Sequence, residues 1–147
     1  MKTPAKVALA VVVVGALGVG GFFAFEYFDH RGFVKDATRS CGTLDTPSSG
    51  ATLPKGFSLP ADQKLLRIDT QGKTILLVAS AAGERKDIVK ERDAVLAALT
   101  SFGFTKKGTD QEPGYEAEAQ VGGVADGSIK VRPLCSGRLE IRYTLRR

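Results

Sequence analysis

Apolar and polar positions divide the chain into two unlike parts. Residues 7–25 (VALAVVVVGALGVGGFFAF) contain no charged side chain, whereas the remainder mixes charged and apolar residues. These 19 residues, at about 1.5 Å rise each, come close to the ~30 Å hydrocarbon core of a bilayer. Lys2 and Lys6 precede the run. Phe22, Phe23, Phe25, Tyr27 and Phe28 lie where an interfacial aromatic belt belongs, and Glu26 and Asp29 end the run. The pattern predicts an uncleaved anchor: residues 1–28 form a cytoplasmic tip and transmembrane helix. The alternative is a signal peptide cut near Val19-Gly20-Gly21, which would leave a secreted domain.

Residues 29–62 read as a juxtamembrane segment followed by a Pro-, Gly- and Ser-rich linker, with Leu53, Phe57 and Leu59 free to pack on the domain edge. Residues 63–147 carry the regular patterns. Runs at 64–70 and 73–80 flank Gln71-Gly72, which as a two-residue turn would set Ile68 opposite Ile75 and Leu66 opposite Leu77. Over 84–102, Ile88, Val95, Leu99 and Phe102 recur at helical spacing, widened by Val89 and Leu96. Gly103 suits the residue just past the helix end. A short strand is expected over 104–109. Residues 115–121 alternate, with Tyr115, Ala117, Ala119 and Val121 on one side and Glu116, Glu118 and Gln120 on the other. Asp126-Gly127 is a turn signal, and Gly122-Gly123 a bulge signal.

Strands over 128–134 and 138–146 follow. Ile129 and Val131 must share a face with Leu139, Ile141, Tyr143 and Leu145. That parity requires an odd loop, satisfied by Cys135-Ser136-Gly137 with Gly137 left-handed, and it sets Arg132 opposite Glu140. The expected fold is α+β: a ββαβββ-type antiparallel sheet with one helix packed on one face, behind the N-terminal transmembrane helix. The stretch LPKGFSLP at 53–60, followed by this pattern, resembles exported or membrane-anchored proteins of high-GC Gram-positive (actinobacterial) bacteria. The resemblance implies a bacterial, exported setting and brings no activity or site residues with it.

Chemistry-bearing residues are few. Cys41 and Cys135 are the two cysteines and His30 the one histidine, so a structural metal site lacks ligands and a disulfide is the natural reading outside the cytoplasm. No cofactor motif is present. The net charge of +5 includes Lys2 and Lys6, which leaves the rest too mildly basic to indicate nucleic acid. Lys130, Arg132, Arg142 and Arg146 should project from one face of the last two strands, as a possible interaction face for an anionic partner. Glu116, Glu118 and Glu140 can neutralise that face pairwise. Ala16 and Gly20 give a small-xxx-small spacing for contact with another membrane helix or for self-association. Asp69, Glu84, Asp87 and Glu91 are the acids from which a carboxylate-dependent hydrolase would be built, and an apolar pocket between helix and sheet would mark a small-ligand or lipid binder. The leading expectation is a non-enzymatic accessory or binding module, held by residues 7–25 at the cell membrane with its domain outside the cytoplasm.

Overall fold

The computed structural model describes residues 37–44, 53 and 57–146. The anchor over 7–25, its Ala16 and Gly20, and His30 lie outside the described residues. Among those described, no helix is long and apolar enough to cross a membrane.

Six strands form one antiparallel sheet: β1 (Lys64–Gln71), β2 (Thr74–Ala82), β3 (Phe104–Glu112), β4 (Glu116–Gly123), β5 (Asp126–Cys135) and β6 (Arg138–Arg146). Their spatial order is β1-β2-β6-β5-β4-β3. After β2 a 3₁₀ turn (Arg85–Asp87) leads into helix α1 (Ile88–Ser101), which lies against β3, β4 and β5. The helix opens with the Glu84 N–H donating to Asp87 Oδ2 at 2.9 Å and ends at Gly103, whose φ of 86° is left-handed. The described residues show the expected α+β build, an antiparallel sheet with one helix, but four strands follow the helix, one more than the ββαβββ order expected, because residues 104–112 pair with β4 as a full edge strand.

Register assigns the two faces. Ile75, Leu77, Ala79 and Ala81 of β2 pair with Leu145, Tyr143, Ile141 and Leu139 of β6. Ile129 and Val131 continue that layer on β5, and Ala117 and Ala119 on β4. All twelve lie in the core, at 8 % exposure or less. Ile88, Val95 and Leu99 of α1 close the layer from above. β1, β2 and β6 lie beyond the strands that α1 covers, and part of the stretch before β1 packs there. The Phe57 ring sits 5.9 Å from Phe102 and 5.6 Å, edge-on, from Tyr143. Leu53 and Leu59 pack against the same core.

Several local expectations are corrected. The first hairpin turns at Gly72-Lys73, so Thr70 pairs with Ile75 and Ile68 with Leu77. A bulge between Leu65 and Arg67 sets Leu65 opposite Ala79 against the core and Leu66 on the helix-free side near Val78, the reverse of the faces expected for these two. β3 runs to Glu112, longer than its polar composition suggested, because β4 pairs with it along its whole length. Asp126 and Gly127 lie in β5 and do not form the turn. A Cβ at Gly127 would stand 2.1 Å from the Thr144 carbonyl oxygen, so this glycine is required by a close strand approach. The odd parity between β5 and β6 is met by a bulge between Pro133 and Cys135, which leaves Ser136-Gly137 as the turn, with Gly137 at φ 74°.

Candidate interaction surface

The face turned away from α1 carries the even-numbered residues of β4, β5 and β6. Lys130 lies opposite Arg142, Arg132 opposite Glu140, and Arg146 opposite Asp126, so all four basic candidates share one face. That face is also acidic. Lys130 Nζ lies 3.3 Å from Glu116 and 3.5 Å from Glu118. Glu140 Oε1 receives both Arg132 Nε at 2.8 Å and Arg142 Nε at 2.6 Å. The Glu140 side chain is only 10 % exposed, and the paired guanidiniums are what allow a carboxylate to sit so deep. At the far end Lys107 bonds Asp126 at 2.6 Å. That hydrogen bond, with Lys107 and Arg146 charge nearby, holds the Asp126 carboxyl below the usual range.

Charge on the face is therefore banded rather than uniformly basic. Asp110, Glu112, Glu116 and Glu118 on β3 and β4 surround a shallow depression of about 160 Å³. Lys130, Arg132 and Arg142 occupy β5 and β6. Among the described residues, no group of His, Cys, Asp and Glu is arranged to hold a metal ion.

Residues 37–44 run along this face at its β5–β6 turn. Cys41 is disulfide-bonded to Cys135, with Cα atoms 5.2 Å apart. The bulge before Cys135 matters here: it pairs Cys135 with Arg138 and so turns the sulfur to the helix-free side. Arg39 adds two bonds, donating from Nη2 to the Leu134 carbonyl at 3.2 Å and accepting from the Ser136 N–H at 2.8 Å. Beyond the disulfide, Thr43 and Leu44 border a hollow of about 310 Å³ with Leu66 and Val78 on the β1–β2 side. At the opposite side of the strap, Thr38, Lys86, Ser136 and Arg138 line an open cleft of about 360 Å³.

The acids considered for hydrolysis do not converge. Asp69 pairs with Arg67 at 2.7 Å on the outer strand, opposite Leu76. Glu84, beyond the other end of β2, pairs with Lys86 at 3.1 Å, and Asp87 closes the helix start. Glu91 accepts from Gln63 Nε2 at 2.9 Å, and burial pushes its carboxyl upward. The helix–sheet interface is filled by Ile88, Val95 and Leu99 against Ala119, Ile129 and Val131, each 2 % exposed or less.

Two polar arrangements were not anticipated. Arg92 is 5 % exposed and sits in the apolar stripe of α1, three residues before Val95. Its Nη1 donates to the Asp110 carbonyl at 3.2 Å and to Gln111 Oε1 at 3.1 Å, joining the helix to β3. The second is Gln63, which bridges Glu91 and the buried Tyr143. Helical spacing from Ile88 marked the Arg92 position as inward, but an arginine there reads as a break in the stripe. Nothing local marked Gln63. Comparison with protein-family models, with curated proteins and with solved structures found no match to this chain.

Proposed function

We propose that this chain is a membrane-anchored accessory or binding module that works outside the cytoplasm, with no catalytic step of its own. The observation that carries the reading is the Cys41–Cys135 disulfide, which joins the segment following the apolar run to the end of the interior strand β5. Such bonds persist in oxidising compartments, so the bond supports placing the folded domain outside the cytoplasm. The charge-free run over 7–25 supplies the anchor, and Lys2 and Lys6 favour a cytoplasmic N-terminus. The resemblance of residues 53–60 to exported actinobacterial proteins agrees with that setting. Dispersed, individually paired carboxylates support binding over hydrolysis, and a filled helix–sheet interface supports surface recognition over an enclosed ligand.

In-cell cross-linking tests this. The native chain is compared with one whose residues 1–28 are replaced by a cleavable signal. A stoichiometric partner recovered only with the native anchor means docking through the membrane helix, at Ala16 and Gly20. A partner recovered with both places recognition on the folded domain. Recovery of none in either case would overturn the accessory reading.

A further inference from the structure

The register of the helix-free face contains a charge order with a consequence for assembly. Asp110 pairs with Glu118, Glu118 with Lys130, and Lys130 with Arg142. Across β3, β4, β5 and β6 one row therefore reads acid, acid, base, base. Like charges directly opposite each other across strands cost a sheet stability. Here both outer pairs of the row, Asp110 with Glu118 and Lys130 with Arg142, are alike. One row over, Glu112 lies opposite Glu116 and Arg132 opposite Glu140, so that row reads acid, acid, base, acid. An alternating order would serve the isolated sheet better.

The same order is self-complementary. A two-fold axis parallel to the strands, placed at the β4–β5 boundary, maps each lateral position onto its mirror while leaving height along the strand unchanged. It sets Glu118 of one copy over Lys130 of the other, and Asp110 over Arg142. In the next row it sets Glu116 over Arg132 and Glu112 over Glu140, whose charge Arg132 and Arg142 of its own subunit already hold. All four strand directions are kept, giving the aligned face-to-face packing natural to twisted sheets. We infer that the face formed by β3, β4, β5 and β6 binds a second copy of this chain in this two-fold arrangement.

Accessibility fits. The side chains of Glu118, Lys130 and Arg142 are 27 %, 37 % and 42 % exposed, so they can reach a second copy while keeping their own contacts. Thr43 and Leu44 border Glu140 and Arg142 of β6 as well as Leu66 and Val78, so the strap stands at the β6 edge of the proposed contact and forms part of it. Four strands at about 4.8 Å spacing and about 27 Å length offer about 500 Å² per copy, about 1,000 Å² in all, the lower bound for a specific interface. The row Gly108, Gln120, Ser128 and Thr144 is uncharged, which lets the copies close without added repulsion. The inference goes beyond the accessory reading and needs neither the anchor nor a foreign partner.

Sedimentation equilibrium of the full chain in density-matched detergent tests it. The native protein, Glu118→Lys, Lys130→Glu and an equimolar mixture of the two variants are compared at low ionic strength. Each single reversal places like charges over each other twice in the homodimer, so each should weaken dimerisation by about tenfold or more. In the mixture the lysine introduced at 118 faces the glutamate introduced at 130, and the native Lys130 faces the native Glu118. The mixture should therefore recover native association as a heterodimer. Repulsion confined within one subunit could not be relieved by mixing. A monomeric native chain across the concentration range would overturn the inference. So would association that survives both reversals, which places the contact elsewhere, or a mixture that fails to recover. No other protein is present in this measurement, so its failure leaves the accessory reading to its own test.

Discussion

The Tyr143 hydroxyl donates a 2.6 Å hydrogen bond to Gln63 Oε1, and the Gln63 amide passes a 2.9 Å bond on to Glu91. One glutamine from the stretch before β1 thus joins the core strand β6 to helix α1. The bond lies beside the Phe57–Tyr143 ring contact, so the residues before β1 are held by both apolar and polar means. Burial pushes the Tyr143 hydroxyl far above the ordinary tyrosine range, which keeps it a neutral donor at every physiological pH.

Tyr143→Phe should lower stability by about 1–2 kcal/mol, because it leaves the Gln63 oxygen without its donor while keeping the ring. Urea denaturation measures the loss, and a cycle with Gln63→Leu should show the two changes to be non-additive. Additive losses would mean that the bond carries no coupling.

Glu91 gives a pH signature. Its folded carboxyl holds a proton more tightly than the unfolded one, first through burial, against the opposing Gln63 bond. The folded state therefore binds more protons just above the ordinary glutamate range, and this group's contribution declines as pH rises through that window. Glu91→Gln removes the ionisation. Its stability relative to native should rise between about pH 4 and about pH 7, read from unfolding midpoints along that series. Parallel pH profiles would refute the assignment.

Arg92 holds α1 to β3 through the Asp110 carbonyl and Gln111 while nearly excluded from water. Arg92→Ala should cost about 2–4 kcal/mol by removing both bonds to β3 and the two to Asp93, and by opening a void. Arg92→Met fills more of the space and should cost less. Equal losses would assign the residue's value to its charge alone.

Reduction of Cys41–Cys135, or its replacement by a serine pair, should lower stability by about 2–5 kcal/mol. The sequence separation of 94 closes most of the domain into one loop. Thermal unfolding with and without reductant gives the comparison, and an unchanged midpoint would show that the strap adds nothing to the fold.

Gly123→Ala and Gly127→Ala should each destabilise by about 1–3 kcal/mol or more. A new Cβ would stand 2.5 Å from the Gly103 oxygen in the first case and 2.1 Å from the Thr144 oxygen in the second. Gly72→Ala meets open space and bears only the conformational cost of its φ of 58°, so it should be the mildest of the three.

What the sequence determined by itself was everything that repeats at short, fixed spacing. Alternation marked Ala117, Ala119 and Val121 as inward and Glu116 and Glu118 as outward. Helical spacing marked Ile88, Val95 and Leu99, and parity between β5 and β6 put the four basic candidates on one face and Arg132 opposite Glu140. These follow from side-chain periods of two and 3.6, which hold wherever the element lies. Tertiary structure decided what depends on which elements become neighbours. β2 lies beside β6, not beside the strand that follows it in the chain, and this non-local pairing buries Tyr143 where Gln63 and Phe57 can meet it. Gly127, read as a turn, proved to be a site of close strand approach, and Arg92, outside the apolar stripe read from the sequence, proved to be an inward tie to β3. The candidate face was legible as a set of basic residues, but its banded order required the full sheet, because charge meets charge only where strands from distant parts of the chain are brought into register.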